Sequence, residues 1–102
     1  MSYVITRDDR GIYLGNAMGF AFWSKWDSIG LQHAVTFPSV EAAVAHISTW
    51  MDIISGVDSL DNYMFVPVQA DSNGYASVAA CINAGLEGWL DEHTETINVI
   101  PS

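Results

Sequence analysis

Short apolar runs separated by polar turns mark the first third of the chain, a pattern typical of β-strands. The runs at 3–6 and 12–14 flank a polar turn that ends in Gly11, which predicts a β-hairpin. Two further strands are expected at 20–23 and 31–37. The first third of the chain is therefore predicted to be an antiparallel meander.

From Pro38 onward the apolar residues recur every three or four positions, which is the period of an α-helix. Ser39 is a suitable N-cap, and Ser55 with Gly56 resembles a helix end, so one amphipathic helix is expected between them. Its predicted apolar stripe consists of Val40, Val44, Ile47, Met51 and Ile54. This stripe is expected to face a sheet.

A fifth strand is predicted at 63–68, where Pro67 indicates a sheet edge or a strand end because proline cannot donate a ladder hydrogen bond. A second helix is predicted from 75 to about 92. Gly85 weakens this helix, so close packing against the sheet is expected there. The run at 96–100 supplies a last strand.

The predicted order of elements is β-β-β-β-α-β-α-β. We expect residues 1–102 to form a single acidic α+β domain, in which two helices pack on one face of a mostly antiparallel sheet of about five or six strands. A chain of 102 residues has room for one core. Half of its residues are apolar and twelve are aromatic, which excludes the disordered class.

Charge is distributed unevenly along the chain, whose formal net charge is −9. The three basic residues are Arg7, Arg10 and Lys25, and the 77 residues after Lys25 carry ten carboxylates with no lysine or arginine. Such a surface repels the phosphate backbone, which excludes direct binding to nucleic acid. A basic protein surface that is built for nucleic acid would instead attract it.

Catalytic motifs are missing from this sequence. It contains three histidines and one cysteine, Cys81, but neither a G-x-S-x-G elbow nor a glycine-rich phosphate loop. Three carboxylates and His93 gather at 91–95, a composition that suits a hard cation. Successive side chains at a helix end point in different directions, however, so we expect a solvated acidic surface there. No catalytic residue, metal site or cofactor is predicted.

The cellular compartment is inferred from the lone cysteine and from the start of the chain. One cysteine cannot form an internal disulfide, which favours a reducing compartment. The first residues lack the features of a signal peptide, and no run of 18 apolar residues occurs. A soluble, cytoplasmic protein is expected.

Carboxylates near the ends of the two predicted helices, and in the connector after the first helix, are the predicted contacts to a partner. Acidic groups at a helix C-terminus oppose the helix dipole, at a cost of about 0.3 to 1 kcal/mol each when exposed. A sequence that breaks a local rule without an evident compensating gain marks a candidate functional region. The predicted contact residues are Asp52, Asp58, Asp61, Glu87, Asp91, Glu92 and Glu95.

Clustered aromatic residues suggest a second way to dock. Alternation along the third strand places Phe20 and Phe22 on one face and Ala21 and Trp23 on the other. Trp23 and Trp26 are the candidate aromatic contacts, since aromatic residues are enriched in interface cores. The alternative function is thus a protein-protein binding or assembly module that uses this apolar region, with the acidity serving only solubility.

The chain length, the missing basic residues and two runs, YVIT at 3–6 and VTFPSVEAA at 35–43, carry a resemblance to a known group. The chain resembles the small acidic anti-CRISPR proteins encoded by bacteriophages, and among them the DNA-mimicking inhibitors of type I effector complexes, such as that of type I-C. The resemblance implies a stoichiometric inhibitor that blocks a basic DNA site of an effector in the bacterial cytosol. It includes no shared signature motif, so no functional residue is carried over.

Overall fold

The computed structural model describes residues 2–17, 20–25 and 33–86. Within them the elements are β1 (Ser2–Arg7), β2 (Gly11–Ala17), β3 (Phe20–Trp23), β4 (His33–Val35), α1 (Val40–Ile47), α2 (Met51–Ile54), a 3₁₀ turn (Leu60–Asn62), β5 (Tyr63–Val68), β6 (Tyr75–Ser77) and α3 (Val78–Asn83). The predicted α+β class is confirmed, as is the mostly antiparallel pairing of its strands. The strand predicted at 96–100 lies outside the described residues.

The six described strands belong to two sheets. A four-stranded sheet has the order β3-β2-β1-β5, and β4 pairs with β6 in a separate two-stranded ribbon. The longest register joins β1 to β5, from Ser2 opposite Val68 to Arg7 opposite Tyr63. The C-terminal end of β1 therefore lies beside the N-terminal end of β5, with Arg7 opposite Tyr63.

The predicted hairpin between β1 and β2 is confirmed. Arg7 pairs with Gly11, and the N–H of Arg10 donates to the carbonyl oxygen of Arg7 at 3.1 Å. Gly11 has a φ of 85°, a left-handed value that suits a residue without Cβ at the end of a three-residue loop. This turn places Arg7 and Arg10 close together at one end of the sheet.

Pro67 lies on β5, which is an edge strand among the described residues, as predicted. Its partner Tyr3 directs both backbone polar groups away from β5, because they form two 2.9 Å hydrogen bonds with Phe37. In an antiparallel pair, hydrogen-bonded and non-hydrogen-bonded positions alternate, so the Tyr3–Pro67 pair is a non-hydrogen-bonded one. Proline therefore costs β1 and β5 no hydrogen bond.

Both faces of the four-stranded sheet are covered. Val4 and Ile12 point towards the β4–β6 ribbon and α3, whereas Ile5 and Tyr13 point towards α1 and α2, and all four are fully buried. The helices α1 and α3 thus lie against opposite faces, and the prediction that both helices share one face is wrong. The reason is that α3 follows β6 directly and packs with the ribbon instead of beside α1.

The first helical segment is interrupted, although one continuous helix was predicted. The hydroxyl groups of Ser48 and Thr49 donate to the carbonyl oxygens of Val44 and His46, at 2.6 and 2.7 Å, and end α1 early. Such side-chain bonds compete with the helical backbone ladder. The helical chain resumes only at Met51.

Side-chain burial along α1 and α2 also differs from the prediction. Ala43 and Ile47 enter the core, but Val40 and Ile54 are 37% and 64% exposed. The predicted apolar stripe is therefore wrong at both of its ends.

The second predicted helix is shorter than expected at its start, and it also ends early, at Asn83. Residues 75–77 form β6, and Ser77 caps α3 by accepting the N–H of Ala80 at 3.1 Å. Gly85 has a φ of 85° and follows the helix end, which explains the glycine better than close packing does. The predicted continuation over 87–92 lies outside the described residues. None of the described helices is long and apolar enough to cross a membrane.

The interruption gives a test with two isoleucines of the same predicted stripe. Ile47 is 1% exposed, so Ile47→Ala should lower the free energy of unfolding by about 2 to 4 kcal/mol through lost burial and a cavity. Ile54→Ala should change it by less than about 0.5 kcal/mol. Urea unfolding of both variants measures the difference, and equal losses would contradict the interrupted helix.

Candidate partner-binding surface

The segment that joins α2 to β5 is held by the carboxylate of Asp58. This carboxylate accepts hydrogen bonds from the guanidinium of Arg7 and the hydroxyl of Tyr63. The side-chain amide of Asn62 and the backbone N–H of Ser59 also donate to it, both at 2.8 Å. Four donor groups thus surround a side chain that is only 5% exposed.

Arg7 completes this cluster from the end of β1. Its Nε donates to Asp9 at 2.7 Å, and its guanidinium lies 5.2 Å from the centre of the Tyr63 ring. Burial would raise the pKa of Asp58, but the bonds from Arg7, Tyr63 and Asn62 outweigh it, and the pKa lies well below its ordinary value. The carboxylate of Asp58 is therefore ionised and fully engaged inside the protein.

The prediction that Asp58 contacts a partner is consequently wrong. A nearly buried carboxylate with four donors offers little charge or surface to another molecule. The sequence made Asp58 look like a surface acid because its main partner, Arg7, is 51 residues away in the chain.

A projecting corner lies between α2 and the Asp58 cluster. The N–H of Asp58 donates to the carbonyl oxygen of Asp52 at 2.9 Å, which brings the two ends of the corner together. Gly56, with a φ of 81°, lets the chain reverse there. Ile53 packs into the core, whereas Ile54 and Val57 are 64% and 81% exposed.

Two of the predicted acidic contacts flank this corner. Asp52 and Asp61 are both exposed, but they lie in the first turns of α2 and of the 3₁₀ turn. Acids at helix starts are not opposed by the dipole, so the predicted electrostatic cost is wrong for these two residues. Asp52 lies at a helix start because the interruption at Ser48 and Thr49 divides the predicted helix in two. The other predicted contacts, Glu87, Asp91, Glu92 and Glu95, lie outside the described residues.

The aromatic region offers less contact surface than predicted. Trp23 is 2% exposed, its ring centre lies 5.1 Å from that of Tyr13, and the guanidinium of Arg10 lies over it. Trp23 is thus a core residue, and its prediction as an aromatic contact is wrong. The predicted alternation of β3 is confirmed, because Ala21 and Trp23 pack on the α1 side while Phe22 packs on the other. Trp26 lies outside the described residues, and Phe20 is 69% exposed.

Exposed charge in the described part of the chain is almost entirely negative. Lys25 is the one exposed cation there, because Arg7 and Arg10 are both partly buried. The exposed carboxylates in the same ranges are Asp8, Asp9, Glu41, Asp52, Asp61 and Asp71. Carboxylates therefore contribute far more to the exposed charge than the arginines do.

Two cavities and one buried thiol lie elsewhere in the described part of the chain. A cavity of about 280 Å³ lies beside Asp52 and Arg10, and a wider groove of about 830 Å³ runs between the end of β5 and α3. Burial raises the pKa of Cys81 to about 11, so its thiol stays protonated and is a poor nucleophile. Among the described residues no three His, Cys, Asp or Glu side chains are grouped to hold a metal ion.

Comparison with protein-family models, with curated proteins and with solved structures finds no match. The exposure of Ile54 and Val57 was not predicted from the sequence, which placed Ile54 in an apolar stripe facing the sheet. The signal for them was a large aliphatic residue, Val57, at the start of an otherwise polar connector.

His46 is the main titratable group between α1 and the sheet in the described structure. Its Nε2 lies 2.8 Å from the hydroxyl of Tyr13, and its ring packs near those of Phe37 and Trp50. Burial lowers the pKa of His46, so the folded state favours the neutral imidazole. Protonation of this ring opposes folding.

Replacing Asp58 should reveal how much the cluster stabilises the fold. Asp58→Asn leaves Arg7 without its nearly buried counter-charge and should lower the free energy of unfolding by about 2 to 4 kcal/mol at pH 7. Asp61→Asn, at an exposed carboxylate, should cost less than about 0.5 kcal/mol. Because the folded pKa of Asp58 is depressed, its contribution is present above the unfolded pKa of about 3.9 and is lost as pH falls below it. Urea titrations should show the free energies of unfolding of the parent and of Asp58→Asn converging below about pH 4. A difference that stays constant with pH would contradict the assignment.

Mild acid should destabilise the protein through His46. The unfolded state binds a proton below about pH 6.5, whereas the folded state resists it, so stability should fall as the pH drops below about 6.5. His46→Gln should flatten this part of the stability profile, and His33→Gln, at an exposed position, should not. An unchanged profile for His46→Gln would show that another group is responsible.

Proposed function

We propose that this protein is a stoichiometric inhibitor, not an enzyme, which mimics the charge of nucleic acid and blocks a basic DNA-binding surface of another protein. The supporting observation is the asymmetry of exposed charge, with six exposed carboxylates and one exposed cation among the described residues. Lys and Arg side chains hold phosphates in a DNA site, and a carboxylate surface competes for the same groups. The partner is therefore a basic nucleic-acid-binding protein or complex.

The internal use of the arginines supports this proposal. Arg7 is 18% exposed and bonded to two carboxylates, and Arg10 is held by Trp23 and by the hydroxyl of Tyr63, 3.3 Å from its Nη1. Both arginines thus hold the fold together, and Arg7 also pairs with Asp9, one of the exposed carboxylates. Five exposed carboxylates besides Asp9 contribute to the negative field that a partner meets.

A type I CRISPR effector complex is the partner class that we propose, with type I-C as the first system to test. This choice rests on the resemblance of the sequence to phage-encoded anti-CRISPR proteins. The protein would then act in the bacterial cytoplasm, where it would prevent the effector from binding target DNA. Docking through the aromatic region is less well supported, because Trp23 lies in the core and Phe22 is partly buried there.

Charge reversal at the exposed corner tests the proposal. The double variant Asp52→Lys with Asp61→Lys removes two negative charges and adds two positive ones, which raises the net charge by about four, and should weaken inhibition of DNA binding by a purified type I-C effector at least about tenfold at low salt. The loss should shrink as salt rises, because screening beyond about 8 Å weakens the parent as well. Fluorescence anisotropy of a labelled target duplex measures the inhibition.

A control with the same change in net charge separates position from total charge. Four exposed neutral residues near β6 and α3 are replaced with lysine: Gln69, Ser72, Asn73 and Ala79. This variant should retain more inhibition than the double variant. If the parent does not inhibit at any salt concentration, or if the double variant inhibits like the parent, the proposal fails.

A further inference from the structure

Two large aliphatic side chains project from the corner between α2 and the 3₁₀ turn. Ile54 is 64% exposed and Val57 is 81% exposed. Scattered single apolar residues are normal on a protein surface and need no explanation. Two of them on one tight reversal, which lies between the exposed carboxylates Asp52 and Asp61 in the chain, form a more specific feature.

The backbone of this corner is fixed before any partner arrives. The N–H of Asp58 donates to Asp52, and the N–H of Gly56 donates to Ile53 at 3.2 Å. The Asp58 carboxylate is in turn fastened to Arg7. A contact surface that is already ordered loses little conformational entropy on binding.

The chemistry around the corner decides which partner fits it. A second copy of this chain, related by a two-fold axis, would bring the same surface patch, including Asp52 and Asp61, against itself. Like charges in such an interface are costly, and the nearby cations Arg7 and Arg10 are partly buried, against Asp58 and Trp23. A partner with an apolar pocket edged by lysine and arginine matches both the aliphatic and the acidic groups.

We propose that Ile54 and Val57 are apolar anchors that enter a pocket of the basic partner, while Asp52 and Asp61 meet cations at its edge. This proposal rests on the proposed function and adds the contact that holds the complex together. Exposed charges mainly accelerate association, whereas buried contacts mainly slow dissociation. The two kinds of residue therefore have separable kinetic effects.

The double variant Ile54→Ser with Val57→Ser tests the anchors with all carboxylates retained. On an immobilised, purified type I-C effector complex, its dissociation rate should rise at least about tenfold, as for loss of a buried interface anchor. Its association rate and the salt dependence of that rate should match those of the parent. Its midpoint of thermal unfolding should also match, because both side chains are exposed in the free protein.

Met64→Ser is the matched control, since Met64 is an exposed apolar residue on β5, 54% accessible. It should change the dissociation rate less than about twofold. A dissociation rate of the double variant within twofold of the parent overturns the anchors alone, while the charge proposal stands. If sedimentation shows that the parent is a dimer and that the double variant is not, the two residues contact a second copy of this chain and the anchor proposal is wrong. If the parent does not bind the effector, both the proposed function and the proposed anchors are wrong.

Discussion

The ion pair between Arg7 and Asp58 determines how the helical side of this protein joins its sheet. Burying a carboxylate is costly unless donors surround it, and four donor groups do so here. These bonds connect the end of β1, the segment after α2 and the start of β5 at one point. The exposed corner at 52–57 keeps its shape because its far end is anchored at this cluster.

The local sequence predicted the strands well and the burial of single residues less well. Alternating apolar residues and turn glycines are local signals, so the first hairpin, β3 and β5 follow from them. The interruption after Ile47 depends on hydroxyl groups of Ser48 and Thr49 that bond backwards, which a periodic pattern does not reveal. Asp58 could not be placed, because its counter-charge lies 51 residues away and only the folded sheet brings it near.

The meaning of the acidic composition changes once the fold is known. The described acids do not oppose helix dipoles, so their local cost is no longer an argument for function. The exposure of the carboxylates supports a binding function instead, because the arginines are partly buried while Asp52 and Asp61 are exposed. The proposed anchors, Ile54 and Val57, lie between those carboxylates in the chain and would hold a partner after charge has attracted it.

The claim that this protein occupies a DNA site is tested most directly by competition between the protein and DNA. A titration of the purified type I-C effector with the protein, at several salt concentrations and with unlabelled target duplex as competitor, measures it. We expect mutually exclusive binding and an affinity that falls steeply as salt rises. Simultaneous binding of protein and duplex, or an affinity that does not depend on salt, would show that the protein does not occupy the DNA site.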